Sequence, residues 1–600
     1  MLSYRKLAMR VLGRPLHTGG NDSPRPASQR AAAFILTAIM LTSLTAPAFA
    51  GTWSIENGNI TVKAGETGND VTQNNVTTKN DTNTIITNQN KDIASSNTVT
   101  IETNDKNDKV KVTLDNVNIN VGSDSGSALT SNGDVTLTLK GDNSLTGGNG
   151  GSGISSNGSL TISGGEKDSL TAQGGSGRSG IFSSGGVTIS GGTVNATGGN
   201  SGSDIGDGIH SGSLTMKGGT VNAKGGSGAD GGSGIRTFSS GGILIFGSGS
   251  LTVSDSTVTA TGGNGGSARG SHGGNGISGK GSLTVSGGTV TATGGDGCSG
   301  SYSDGGIGIS SSSGGVTIYG GTVTATGGKS GSGDYSNGGN GISSSGSLSI
   351  SGGTVTATAG SSSGSYGRDG ITTSSSLTIS GGTVTANGGS GSYRGGSGIS
   401  SSDIELSGSL ELTAKAGSPN GKALSQNGSE LDPNTFKEKL DPGANIITKD
   451  ADGKVIDQVS SPRPVEPEGP VIPEESSSSS DSGSATPSAD GGSSTPSAPA
   501  SPLPGLTVTD KSGQHISYTS IRDNNVLSLR VGRFTASFRI SPATLRQLRA
   551  EGIDTITFRT VLCSTTLSVD ELLAMGGEDA EVVLTHHIRS STLTVGGKAV

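Results

Sequence analysis

The sequence predicts an all-β protein whose main part is a right-handed parallel β-helix with three short strands per coil. The first observation behind this fold is a fourteen-residue phrase, SLTISGGTVTANGG from Ser376, which recurs with small variations from Gly186, Ser213, Ser250, Ser282, Gly315 and Ser347. Successive starts are 27, 37, 32, 33, 32 and 29 residues apart. Such spacing is typical of stacked structural repeats that share one continuous core.

The second observation is the alternation of apolar and hydroxyl side chains inside the phrase. In the copy from Ser282, Leu283 and Val285 precede a Gly-Gly pair, and Val290 and Ala292 follow it. A period of two residues is typical of half-buried strands. We therefore expect two short strands on either side of a corner where glycine adopts positive φ, with Val and Ala inside and the threonines outside.

The third observation is a Gly-Ile pair ahead of each phrase, which predicts the third strand of every coil. Its isoleucines are Ile154, Ile181, Ile209, Ile235, Ile277, Ile309, Ile342, Ile371 and Ile399. Together these features predict about nine or ten coils.

The remaining elements follow from changes in composition along the chain. Six basic residues, an apolar run from Ala31 and Ala48-Phe49-Ala50 predict a signal peptide over residues 1–50, and hence a secreted or bacterial cell-surface location. No later stretch is long and apolar enough to span a membrane. The division we expect is an N-terminal cap with the first coils at 51–120, β-helix repeats at 121–420, a C-terminal cap at 421–459, a Pro/Ser-rich linker at 460–504 and a small module at 505–600.

The last module has a different pattern, which predicts a small α+β fold. Its strand candidates are Leu506 to Thr509, Val526 to Val531, Phe534 to Ile540, Thr555 to Val561 and Glu581 to Ile588. Ser541-Pro542 and the capping box from Ser568 to Glu571 predict the starts of two helices.

Charge and cysteine content exclude several classes of function. The first fifty residues hold six of the 40 basic and one of the 48 acidic side chains, so the mature chain carries a formal charge of −13. That charge argues against a nucleic-acid partner, and an anionic polysaccharide would need a bridging divalent cation. Cys298 and Cys563 alone cannot form a disulfide framework or a metal–thiolate site.

A row of tyrosines is the candidate carbohydrate-binding site. Tyr302, Tyr335, Tyr366 and Tyr393 lie seven, seven, five and six residues before Ile309, Ile342, Ile371 and Ile399. If the loops stack as the strands do, the rings form one stripe that binds the apolar faces of sugars along a polymer. The alternative is that each ring packs only on its neighbouring loop.

A second row carries side-chain oxygens and is the candidate metal site. Asp207, Asn275, Asn340 and Asp369 each directly precede a Gly-Ile pair, and oxygen ligands in a row suit Ca²⁺. Asn and Asp also favour turns for local reasons, which is the alternative.

The sequence shows no catalytic constellation. His210 and His272 stand alone in loops, and basic residues such as Arg236 are scattered among the repeats, whereas a polysaccharide-cleaving β-helix needs clustered carboxylates beside a base. Exposed Thr-x-Thr rows are compatible with ice binding, but unequal coil lengths and Asn195, Asn222 and Lys224 interrupt the pattern.

The segments VTLDNVNIN from Val112, GDNSLTGG, GSGISSNGSLTISGG and the repeated GGTVTATGG resemble the secreted clostridial-type carbohydrate-binding domain family over roughly residues 95–415. The resemblance implies a right-handed β-helix like that of polysaccharide lyases, an association with calcium, and binding of plant cell-wall polysaccharide without cleavage. No ligand residue of the family can be transferred to this chain.

The sequence therefore predicts a secreted, non-catalytic carbohydrate-binding protein with calcium as a candidate cofactor. The main alternative is a structural or adhesive surface protein that acts as a spacer or binds a cell-surface protein through residues 505–600. A polysaccharide lyase is a further alternative.

Overall fold

The computed structural model describes residues 50–103, 110–202, 205–237, 249–461 and 505–599, the last range apart from 511–512, 515, 517, 524, 532, 534, 561–563, 577–579, 588–590 and 597. Residues 1–49 of the predicted signal peptide, all but the first two residues of the predicted linker, and Cys563 lie outside the described residues.

Three short strands joined by bends make up each coil, as the repeat predicts. In one coil these strands are Ile277–Gly279, Leu283–Val285 and Thr289–Thr293. Each pairs in parallel and in register with its counterpart in the next coil, as Thr289–Thr293 does with Thr322–Thr326. The result is a parallel β-solenoid in which 36 strands belong to one hydrogen-bonded network.

The repeat strands run without a change of order from Leu129 to Lys415. Their bounds are Leu129–Ser131, Val135–Lys140, Asp142–Thr146, Ile154–Ser156, Leu160–Ser163, Ser169–Gln173, Ile181–Ile189, Thr193–Thr197, Ile209–Met216, Thr220–Lys224, Ile235–Thr237, Leu251–Val253, Thr257–Thr261, Ile277–Gly279, Leu283–Val285, Thr289–Thr293, Ile309–Ser311, Val316–Ile318, Thr322–Thr326, Ile342–Ser344, Leu348–Ile350, Thr354–Thr358, Ile371–Asn387 and Ile399–Lys415.

The core is a stack of identical positions from successive coils. Ile309, Ile342 and Ile371 are fully buried, as are Val323 and Ala325 on the third strand, while the flanking Thr322 is exposed. Val and Ala therefore point inward and threonine outward, as predicted. Because each side chain packs on its equivalents in neighbouring coils, no single coil buries its apolar face alone.

The solenoid has about 15 turns, more than the nine or ten that the repeat phrase predicts. The additional coils lie at the two ends, in the region predicted to hold the N-terminal cap and first coils and in the predicted C-terminal cap. Ile60 pairs with Val99, which in turn pairs with Leu129, and Ile399 pairs with Leu424. These coils lack the GGTVTATGG phrase, so counting the phrase overlooks them.

At each end of the solenoid, strands in parallel coil pairing are joined by antiparallel strands that close the end. At the N-terminal end the elements are Thr52–Ser54, a 3₁₀ turn at Ile55–Asn57, Ile60–Ala64, Asn69–Gln73, Val76–Asp81, Ile85–Thr87, Val99–Glu102, Val110–Asp115 and Asn118–Asn120. At the other end they are Leu424–Gln426, Ser429–Glu430, a 3₁₀ helix at Pro433–Lys439, Asn445–Lys449 and Val455–Ser460. Antiparallel pairing at these places covers edges that would otherwise template aggregation.

The C-terminal module contains two sheets and two helices, in agreement with the predicted α+β fold. One sheet holds Leu506–Thr509, Ala536–Ile540, Val582–His586, Ser591–Val595 and Lys598–Ala599, and the other holds Thr519–Asp523, Val526–Arg530, Thr555–Arg559 and Ser564–Ser568. The helices are Pro542–Ala550 and Val569–Gly576. The oxygen of Ser541 accepts a bond from the Thr544 amide, which confirms the predicted cap.

Four strands of this module were not predicted, namely Thr519–Asp523, Ser564–Ser568, Ser591–Val595 and Lys598–Ala599. The first three contain several Thr and Ser residues and few apolar ones, so the alternating pattern is weak, and the fourth has only two residues. Among the described residues, no helix has the length and apolar character needed to cross a membrane.

Candidate functional site

The tyrosines lie in the loops that connect the third strand of one coil to the Gly-Ile strand of the next. These loops stack at backbone contact distance. Gly306 donates a backbone hydrogen bond to Gly295, Gly328 to Gly306, and Gly339 to Gly328, each at 2.8 Å between nitrogen and oxygen. A Cβ atom on Gly328 would lie 1.9 Å from the carbonyl oxygen of Gly295. Glycine at these positions is therefore required by close approach between coils, whereas at corners such as Gly321, with φ of +85°, it is required by conformation.

Tyr302 and Tyr335 form a stacked pair on adjacent coils. Their ring centroids are 5.1 Å apart, and the ring planes differ by 13°. The guanidinium carbon of Arg269 lies 4.8 Å from the centroid of Tyr302. Arg269 belongs to the preceding coil and Tyr335 to the following one, so the Tyr302 ring contacts both neighbouring coils.

Both tyrosines of this pair have an unusual backbone conformation. The φ angles of Tyr302 and Tyr335 are +62° and +60°, in the left-handed region that costs an L-residue other than glycine about 1–2 kcal/mol. The two residues are nevertheless 44% and 62% exposed. Core burial does not offset this strain, and backbone strain of this kind is concentrated at functional sites.

Tyr366 and Tyr393 form a second pair. Their centroids are 6.3 Å apart with an interplanar angle of 31°, and the side chains are 52% and 72% exposed. The amide of Tyr366 donates to the Asn337 side chain, and its carbonyl accepts from Gly338. Tyr366 therefore aligns with residues two to three positions beyond Tyr335.

The structure thus brings the four predicted tyrosines to one edge of the solenoid as two contacting pairs with an offset between them. The offset corresponds to the spacings of seven, seven, five and six residues before each Gly-Ile pair. Ring packing between neighbouring loops, the alternative that the sequence left open, is part of the arrangement. The large exposed areas of Tyr335 and Tyr393 leave these two rings open to a ligand.

The predicted oxygen row connects one coil to the next. The Oδ1 atoms of Asn275, Asn340 and Asp369 accept hydrogen bonds from the backbone amides of Ile307, Asp369 and Ser397, at 2.8, 2.9 and 2.6 Å. Each side chain bonds to the residue that occupies its own position in the following coil. This is the local structural role that the sequence left open beside the calcium hypothesis.

The row does not bring its four predicted members together. Ser233 occupies the position between Asp207 and Asn275, and Ile307 the one between Asn275 and Asn340. Within the parts of the chain that the structure describes, no group of three or more His, Cys, Asp or Glu side chains is arranged to hold a metal ion. Burial raises the pKa of Asp369, against the opposing effects of the Ser397 amide and nearby Arg368 and Arg394.

Asp207 is instead the centre of a cluster that the sequence analysis missed. Its carboxylate is 1% exposed; Oδ1 accepts from the Ser233 amide at 2.7 Å, and Oδ2 lies 2.7 Å from His210 Nδ1 and 3.2 Å from Arg236 Nε. Phe182 packs beside His210 with ring centroids 5.5 Å apart. One buried carboxylate therefore orients an imidazole and a guanidinium on two coils.

A sequence signal for this cluster was present. Phe182, His210 and Arg236 each directly follow the isoleucine of a Gly-Ile pair, and the structure pairs these positions in register. His210 and Arg236 are far apart along the chain, so the sequence analysis treated them as unrelated. They occupy the same position in neighbouring repeats, and the structure therefore places them side by side.

These features define a β-solenoid protein with a small C-terminal sheet module. No protein-family model, curated protein or solved structure gives a significant match to this chain. The resemblance to a carbohydrate-binding domain family stays a prediction from the sequence.

Proposed function

We propose that this protein is a secreted, non-catalytic carbohydrate-binding β-solenoid that holds a polysaccharide along the edge formed by the two tyrosine pairs. The observation that carries the proposal is that Tyr302 and Tyr335 occupy a strained left-handed conformation while their rings remain exposed. Aromatic rings bury the apolar faces of sugars, and their hydroxyl groups remain available for hydrogen bonds.

The four rings are expected to contribute unequally. Tyr302 stacks with Tyr335 and contacts Arg269, so its main role is to support the neighbouring ring. Tyr335 and Tyr393 have the largest exposed fractions of the four, and they provide the main contacts. Tyr366 packs against Tyr393 and orients it.

A polymer suits this arrangement better than a free sugar. The loops are stacked about 4.8 Å apart, the distance between hydrogen-bonded strands, so sites repeat along the solenoid axis. Several weak contacts to one chain add up through effective concentration. Arg368 and Arg394, next to the second pair, supply hydrogen-bond donors for sugar hydroxyl groups.

The test is retention of the purified protein on a panel of immobilised neutral and acidic polysaccharides, with Ca²⁺ and then with chelator. The variant combines Tyr302→Asn, Tyr335→Asn, Tyr366→Ala and Tyr393→Ala, because asparagine tolerates the left-handed conformation. The matched control is Tyr319→Ala, an exposed tyrosine at the corner after Val316–Ile318.

The expected result is retention of the wild-type protein and the control, loss of retention in the fourfold variant, and no shortened glycan products. Dependence on Ca²⁺ would support the calcium hypothesis. Equal retention of the control and the fourfold variant would refute the role of the tyrosines. If no glycan retains the wild-type protein, the structural or adhesive alternative replaces this proposal.

A further inference from the structure

The outward face of the third strand of each coil carries a regular array of threonines that the proposed function does not use. Five consecutive coils contribute Thr257–Thr261, Thr289–Thr293, Thr322–Thr326, Thr354–Thr358 and the last five residues of Ile371–Asn387. Register pairing aligns their outward residues in three rows, which are Thr257, Thr289, Thr322, Thr354 and Thr383; Thr259, Thr291, Thr324, Thr356 and Thr385; and Thr261, Thr293, Thr326, Thr358 and Asn387.

The unequal lengths of the coils do not disturb the regularity of this threonine surface. The third strands start 32, 33, 32 and 29 residues apart across these five coils, yet every residue pairs with its equivalent without a shift in register. The loop after Thr354–Thr358 is shortened in the 29-residue interval, and the bend between Ile309–Ser311 and Val316–Ile318 holds the one extra residue of the 33-residue interval. The threonine rows therefore stay in register across all five coils.

The charged substitutions lie outside the five coils, and Asn387 replaces a threonine within them without adding charge. Toward the N-terminal end, Lys224 precedes Thr261 in its row, and toward the C-terminal end, Glu411 follows Thr383 and Lys415 follows Asn387. Between these limits the face carries no charge, although the whole chain has a net charge of −8. An uncharged face complements an uncharged ligand.

The spacing of the array defines what it can bind. Neighbouring coils place equivalent threonines about 4.8 Å apart, and alternate residues along a strand are about 6.7 Å apart. Threonine is stiff at χ1, and the strands beneath are fixed by the ladder, so methyl and hydroxyl groups repeat in two dimensions. These repeats are close to oxygen spacings in planes of ice, whose lattice excludes ions.

We propose that this threonine face binds ice, through water molecules ordered between its hydroxyl and methyl groups. The activity is separate from glycan binding, because the tyrosines lie in the loops that follow these strands and not on their outward face. Loss of one activity therefore leaves the other measurable.

The experiment measures ice recrystallisation inhibition and the gap between melting and freezing temperatures with the full purified protein. The variant replaces the central row, Thr291→Lys, Thr324→Lys and Thr356→Lys. The control replaces three half-buried threonines on the second strands, Thr252→Lys, Thr284→Lys and Thr317→Lys. A milder variant, Thr324→Val, keeps the shape of the side chain, and far-UV circular dichroism checks folding of each protein.

The proposal predicts activity in the wild-type protein and the control, a partial loss in Thr324→Val and complete loss in the central-row variant. The fourfold tyrosine variant should keep full activity on ice. An inactive wild-type protein overturns the proposal, and so does equal activity of the central-row variant and the control. Retention on a crystalline polysaccharide that depends on the threonines instead of the tyrosines would also overturn it and assign the face to a glycan.

Discussion

Replacing Gly328 by alanine tests whether the close approach of stacked loop backbones requires glycine at this position. The added Cβ would lie 1.9 Å from the Gly295 oxygen and 2.6 Å from the Gly295 carbonyl carbon, both backbone atoms of the preceding coil. The loops must separate, which strains or breaks the hydrogen bonds from Gly328 to Gly306 and from Gly339 to Gly328. Overpacking and two weakened hydrogen bonds together predict a loss of about 2–5 kcal/mol.

The assay is unfolding in guanidinium chloride, followed by far-UV circular dichroism, together with amide hydrogen exchange of the loops. Exchange is needed because a solenoid unfolds in parts and a single free energy does not describe it. The matched control is Gly126→Ala, whose Cβ meets only a Val121 methyl group at an ordinary 3.8 Å. We expect a change within about 0.5 kcal/mol for the control. A Gly328→Ala protein as stable as this control would refute the reasoning.

Three further predictions concern buried ionisable groups. Asp207→Ala removes the acceptor of the Ser233 amide and the partner of Arg236, which is one-third exposed; we expect a loss of about 2–4 kcal/mol in denaturant unfolding. Burial raises the pKa of Asp369 in the folded protein. The contribution of this carboxyl to the free energy of unfolding is therefore fully present below its unfolded-state pKa of about 4, and it is lost as the pH rises through the folded-state pKa. Asp369→Asn keeps the bond from Ser397 and should raise the unfolding midpoint at pH 7, with no gain below pH 4. Burial lowers the pKa of His586, so the stability that neutral His586 gives the C-terminal module is present above about pH 6.5 and decreases as the pH falls; amide exchange of the module against pH measures it.

Each of these predictions has a control and a contradicting result. Asp334→Ala changes an exposed carboxylate and should leave the free energy of unfolding unchanged. If Asp207→Ala had an equally small effect, this would contradict a structural role for the cluster around Asp207. If Asp369→Asn destabilised the protein, the negative charge of Asp369 would be needed at this position, as expected for a calcium ligand. His586→Asn should abolish the acid sensitivity of the module and His587→Asn should not, since His587 is exposed; the reverse outcome would contradict the assignment.

Local patterns were sufficient to predict the repeating part of the fold. Val290 and Ala292 alternate with threonine, and the same order in every phrase implies the same register in every coil, which the pairing of Thr289–Thr293 with Thr322–Thr326 confirms. The first coils were expected within residues 51–120, but the total number of coils was underestimated because the coils around Ile60 and Leu424 lack the phrase that was counted.

The candidate sites depend on contacts between coils, which a single sequence shows only indirectly. The positions of the tyrosines within their loops were known, but the loop register that separates Tyr335 from Tyr366 depends on hydrogen bonds to Asn337 and Gly338. The cluster around Asp207 joins residues 26 to 29 positions apart along the chain. Their equivalence becomes visible only when the repeats are aligned by their Gly-Ile pairs.

The most direct test of the central claim is affinity gel electrophoresis in a gel that contains a polysaccharide found to retain the wild-type protein. It compares the double variant Tyr335→Asn and Tyr393→Ala with the control Tyr319→Ala. We expect the double variant to migrate almost as far as it does in a gel without glycan. We expect Tyr319→Ala to be retarded as strongly as the wild-type protein. Equal retardation of both variants would contradict the assignment of the tyrosine pairs as the glycan-binding site.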